Sequence, residues 1–96
     1  MKYLVVDGYF NETGIRNEHD DGWVNPSDLG LSAELVARID SWVKKYTKEK
    51  IDGYSNDTRL DALDTEGMEI ALLIKNELPG SKLTYYSDSR LTKRII

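Results

Sequence analysis

The stretch Ser32–Tyr46, SAELVARIDSWVKKY, constrains the fold of this chain more than any other. Leu35, Val36, Ile39, Trp42, Val43 and Tyr46 recur at three- and four-residue steps, which gathers them on one side of a 3.6-residue helix. Arg38, Asp40, Ser41, Lys44 and Lys45 fall on the opposite side. Ser32 stands where its hydroxyl can accept from the first free amides, and Glu34 suits the positive end of the helix dipole. Lys44, Lys45 and Lys48 lie near the negative end. A helix with one apolar stripe needs another surface to cover it, so the remaining segments must supply that surface.

A second stripe follows. Leu60, Leu63, Gly67, Ile70, Ala71, Ile74 and Leu78 repeat at threes and fours, with Leu73 broadening the run. Asp57 or Asp61 is placed to cap this helix, and a shorter version would begin at Asp64. Gly67 costs about 1 kcal/mol relative to Ala inside a helix. It either allows close approach of another backbone near Trp42 or marks a break between two shorter helices. Pro79-Gly80 stops the run. Lys2–Val6 reads as a strand, Asp7-Gly8 as a turn, and Tyr9-Phe10 as a continuation past a bulge. Asp7-Gly8 also cuts short the signal-peptide-like opening of the chain. Lys82–Tyr86 and Arg90–Ile95 read as strands about a Ser87-Asp88-Ser89 turn. Between Asn11 and Gly30 the chain is polar and glycine-punctuated, anchored by Ile15 and Trp23-Val24; a loop this long is functional or hides an element. Thr47–Thr58 reads as a linker. The expected fold is α+β: two helices packed on one face of a small, mainly antiparallel sheet, in a single domain spanning 1–96.

Charge narrows the function. The net charge of −4 argues against generic nucleic-acid binding, which rests on clustered Lys and Arg. From Asp7 to Asp40 eight acids face only Arg16 and Arg38, and from Asp52 to Glu69 six acids face only Arg59. The tail reverses the sign, with Lys82, Arg90, Lys93 and Arg94 against Asp88. Such asymmetry suits a partner with a basic surface, although acids also keep small proteins soluble. The absence of cysteine removes disulfides and thiolate metal sites, and suits a reducing cytoplasm. No run of apolar residues is long enough for a membrane helix.

Motifs for chemistry are missing. His19, in Glu18-His19-Asp20-Asp21, is the only histidine, and neighbouring ligands on one loop seldom converge on one ion. Asp52-Gly53-Tyr54-Ser55-Asn56-Asp57 lacks the downstream bidentate Glu of a calcium loop. The many carboxylates lie in hydrophilic surroundings, unlike the split environments of a glycosidase pair. No phosphate-cradling glycine motif or nucleophile elbow occurs. The expectation is a protein without catalytic residues, cofactor or metal.

Leu31-Ser32, Leu35, Trp42 and Tyr46, then Gly67, Ala71, Leu72 and Glu77-Leu78, then Lys82–Tyr86 form an ordered set. This set resembles small bacterial immunity proteins encoded beside polymorphic toxins, including those of contact-dependent growth inhibition systems. The resemblance covers about Leu31 to Tyr86. It implies a cytoplasmic inhibitor that binds one cognate toxin domain, with a nuclease the expected class, and covers its basic active site. The other reading is an acidic regulatory module with no toxin partner. Toxin-contact residues do not carry over from so diverse a family. The charge pattern instead nominates Glu18, Asp20, Asp21 and Trp23 in one segment, and Asp52, Tyr54, Asp57 and Asp61 in the other. Trp23 is equally suited to pinning its loop to the core.

Overall fold

The computed structural model describes residues 2–20 and 22–96. Its elements are β1 (Tyr3–Asp7), β2 (Ile15–Asn17), a 3-10 helix (Pro26–Leu29), α1 (Ala33–Ile51), α2 (Asp57–Glu77), β3 (Lys82–Ser87) and β4 (Thr92–Ile95). The four strands form one sheet in the order β2-β1-β3-β4. The outer pairings are antiparallel and the central β1–β3 pair is parallel, with Leu4 opposite Leu83 and Val6 opposite Tyr85. A parallel pair needs a long crossover, and the α1–α2 hairpin provides it. The α+β expectation of two helices on a small, mainly antiparallel sheet therefore holds. No helix among the described residues is long and apolar enough to cross a membrane.

α1 begins where the sequence places it. The Ser32 hydroxyl oxygen accepts from the Leu35 amide at 3.3 Å, and the same hydroxyl donates to Glu77 at 2.7 Å. The capping residue thereby ties the start of α1 to the end of α2. The helix runs past Tyr46 to Ile51, because Asp52-Gly53-Tyr54 closes it with a left-handed glycine. Gly53 has φ +75°, its amide bonds the Lys50 carbonyl at 2.9 Å, and the Tyr54 amide bonds Glu49 at 2.8 Å. The linker expected over Thr47–Thr58 thus shrinks to Asp52–Asn56. Asn56 caps α2 in place of Asp57 or Asp61, its side chain accepting from the Arg59 amide at 3.0 Å.

Leu35, Ile39, Trp42, Val43, Leu63, Ile70, Ala71 and Ile74 are buried together, with Leu4, Val6, Ile15, Leu83 and Tyr85 from the sheet. α2 passes through Gly67 unbroken. What approaches Gly67 is a pair of rings, not another backbone. A Cβ built there would overlap the Tyr85 ring and lie 2.8 Å from Trp42 Cζ2. This clearance lets the fully buried Trp42 donate its indole N–H to the Leu63 carbonyl at 2.8 Å. Tyr9-Phe10 does not extend β1, and the expected Arg90–Ile95 strand starts at Thr92. The long polar segment holds β2 and the 3-10 helix, both too short for a periodic signal.

Gly67→Ala should destabilise the protein by about 1–3 kcal/mol in urea unfolding, because overpacking outweighs the gain in helix propensity. Trp42→Ala should cost about 3–5 kcal/mol. A neutral Gly67→Ala would show that the rings can move apart freely.

Candidate partner-binding surface

The first nominated segment folds as a short hairpin on the edge of the sheet. The Glu18 amide donates to the Tyr3 carbonyl at 2.9 Å, and Asn17 donates to Gly22 at 2.8 Å. The Asp20 carboxylate accepts from the Gly22 amide at 2.8 Å, which tightens the turn. The returning strand lays Trp23 beside Arg16 in a single antiparallel bridge. Trp23 is half-buried, and its ring lies 6.0 Å from that of Tyr9. Asp21 lies outside the described residues. His19 is exposed, edge-on to Tyr3, and among the described residues no three His, Cys, Asp or Glu side chains gather as metal ligands.

The second segment forms the α1–α2 turn and the first turns of α2. Tyr54 donates its hydroxyl to Asp88 at 2.6 Å, and Lys50 lies 3.9 Å from the same carboxylate. Lys50 also sits 5.1 Å above the Tyr9 ring. The chain of neighbours Trp23, Tyr9, Lys50, Asp88 and Tyr54 therefore joins the two nominated segments. Tyr9 and Phe10 stay exposed beside it. Sequence reasoning missed Tyr9 and Lys50 as the links, because their partners are far along the chain.

Three of the nominated acids, Glu18, Asp57 and Asp61, face basic side chains of the chain itself. Glu18 accepts from the Thr84 hydroxyl at 3.3 Å and lies 3.8 Å from Lys93. Asp57 and Asp61 hold Arg90 between them at 3.5 and 2.6 Å. Both carboxylates are highly exposed, so these pairs contribute little to stability and a partner's cation can replace Arg90 at small cost. Asp52 is exposed at the end of α1 without an ion pair among the described residues.

A second polar cluster lies beneath this surface. Asp64 accepts from the hydroxyls of Tyr46 at 2.9 Å, Tyr85 at 2.5 Å and Ser87 at 2.8 Å. The Ser89 amide donates to the Tyr46 oxygen at 3.1 Å. Burial first, and then the neighbouring carboxylates, push the Tyr85 and Tyr54 phenols far above their usual range, so both remain donors. These bonds fasten α1, α2, β3 and the following turn to one carboxylate. The arrangement suits holding the turn that carries Asp88 and Arg90 rather than activating a nucleophile.

Asp7 ends β1 almost fully buried, accepting from Arg16 Nε at 3.0 Å through one oxygen. Its other oxygen has no hydrogen-bond partner among the described residues. Burial raises its pKa above the ordinary 3.8, against the opposing pull of Arg16. Between the unfolded and the raised folded pKa the native state binds the extra proton, so stability falls as pH rises through that window. Urea unfolding from about pH 4 to pH 7 should show the native protein losing stability relative to Asp7→Asn. A pH-independent difference between the two would leave Asp7 without this role.

No protein-family model matches the chain, and no curated protein is significantly similar to it.

Proposed function

We propose that this chain is a bacterial immunity protein. It binds one cognate toxin domain in the cytoplasm, with a nuclease the best-fitting class, and covers the toxin's basic active site. The observation that carries the reading is the junction of the two acid-rich segments through Trp23, Tyr9, Lys50, Asp88 and Tyr54. Aromatic rings with few rotors give anchoring area at low entropic cost, and acids around them steer a basic partner into register. A nuclease presents cations at its phosphate-binding centre, so an acidic cover complements it.

The order of the elements supports the same reading through the resemblance noted in the sequence. Trp42, Tyr46, Gly67, Ala71 and Tyr85 pack on one another, and Ser32 meets Glu77. Those positions determine the fold, which leaves partner choice to the loops. Of the nominated residues, Glu18, Asp20, Trp23, Asp52 and Tyr54 lie outside the two helices, and Asp57 and Asp61 lie in the first turns of α2.

The test is binding to the product of the neighbouring gene, measured at two salt concentrations. Trp23→Ala should weaken the complex by about 2 kcal/mol or more, chiefly through faster dissociation. Asp57→Lys with Asp61→Lys should slow association and flatten its salt dependence. A neighbouring gene that encodes no toxin domain, together with normal growth on deletion of this one, would favour the regulatory alternative.

A further inference from the structure

A further acidic stretch lies beside the 3-10 helix. Asn11–Thr13, the 3-10 helix and the first half of α1 enclose a groove of about 760 Å³. Pro26 and Leu31 are buried in its floor, Val36 is half-buried, and Ala33 and Ala37 are exposed on its α1 wall. Glu12 and Asp40 stand in the lining, and no Lys, Arg or His does. Glu12 has no ion pair among the described residues. Among the described residues Asp40 pairs only with Lys44, one turn along α1 at 2.8 Å, and both side chains are largely exposed. Such a pair is weak and exchanges readily. Exposed Asp28 and Glu34 extend the same two elements with no cation of their own among the described residues.

Ala33, Val36, Ala37 and Asp40 follow the i, i+3, i+4, i+7 spacing, so they form one stripe along α1. Three small or medium apolar residues let a second helix approach to the 8–10 Å typical of packed helices. Glu12 stands across from the stripe and Asp40 ends it, so a helix seated there meets carboxylate at both borders. The groove thus combines an apolar floor with a lining whose two charged residues, Glu12 and Asp40, are both acidic.

We infer that this groove docks an amphipathic α-helix of a protein partner, with apolar side chains facing α1 and Lys or Arg facing Glu12 and Asp40. An anionic ligand there would face the carboxylates of Glu12 and Asp40, with no cation in the lining itself. The inference rests on reading the chain as a protein-binding module, and it does not require that the partner be a toxin.

The probe is a synthetic peptide of leucine and lysine patterned for an amphipathic helix, with a leucine–glutamate peptide of the same pattern beside it. Titration into the full chain, followed by amide chemical shifts, should move Glu12, Val36, Ala37 and Asp40 with the lysine peptide alone. Glu12→Gln with Asp40→Asn should weaken binding about tenfold, the scale of one to two lost charge contacts. Ala37→Phe, which fills the groove without changing charge, should weaken it comparably. Thr65→Lys with Asn76→Lys changes net charge by the same amount on the exposed side of α2 and should weaken it far less. Equal loss in that control pair, or no loss in either groove variant, would overturn the assignment. So would a concentration-dependent dimer abolished by Ala37→Phe, which would make a second copy of the chain the occupant. Failure here leaves the toxin-binding reading intact, since that is measured through Trp23→Ala, a residue outside the groove's lining.

Discussion

One missing side chain sets the spacing between the helices and the sheet. Gly67 leaves room for the rings of Trp42 and Tyr85, which are 6.0 Å apart, to lie against the backbone of α2. A methyl group there would push both rings outward. Trp42 would then lose its grip on the Leu63 carbonyl, and Tyr85 its reach to Asp64. Because Tyr85 lies on β3, the same contact fixes how close the sheet comes to α2. The local cost of glycine in a helix is offset by aromatic packing at a site where nothing larger fits.

Much of this was legible in the sequence. The stripe from Leu35 to Tyr46 identified α1, and the stripe from Leu63 to Ile74 identified the face of α2 that meets it. Gly67 stood out as a position where something must approach closely, although periodicity could not say that rings on α1 and β3 would do so. The last turn of α1 was hidden for a physical reason. Its buried side chain is Glu49, while its apolar one, Ile51, faces solvent, so the hydrophobic pattern is inverted there. β2 has three residues and the 3-10 helix four, less than one period of any useful signal. The partner-binding surface was legible only in part. Trp23 and Tyr54 stood out as aromatics among acids, but Tyr9 and Lys50, which join them, are marked by nothing local.

Charge was legible as a sum and illegible as a map. The basic tail balances acids that lie far away in sequence, Arg90 holding Asp57 and Asp61 and Lys93 facing Glu18. On the exposed side of the helices Glu66 links Arg38 and Lys45. Burial works to raise the pKa of Glu66, yet bonds and charge from Lys45 and Arg38 together hold it below the usual carboxylate range. The segments that looked most acidic are therefore partly neutralised by the fold. Glu12, Asp28 and Glu34 keep no ion pair among the described residues.

The central parallel pair gives the chain a timetable. Leu4 pairs with Leu83, so β1 is made well before its inner neighbour β3 and waits through the whole α1–α2 hairpin for it. Until then β1 has only the short β2 along one edge, while the apolar Leu4, Val5 and Val6 are already present. The α1–α2 hairpin draws on contacts much nearer in sequence and can form in that interval, offering Trp42 and Ile70 as a temporary roof. Closing the sheet then confines a long loop in one step. During that interval the edge of β1 that β3 will cover is open to any other extended chain, and the helical hairpin is its nearest protection.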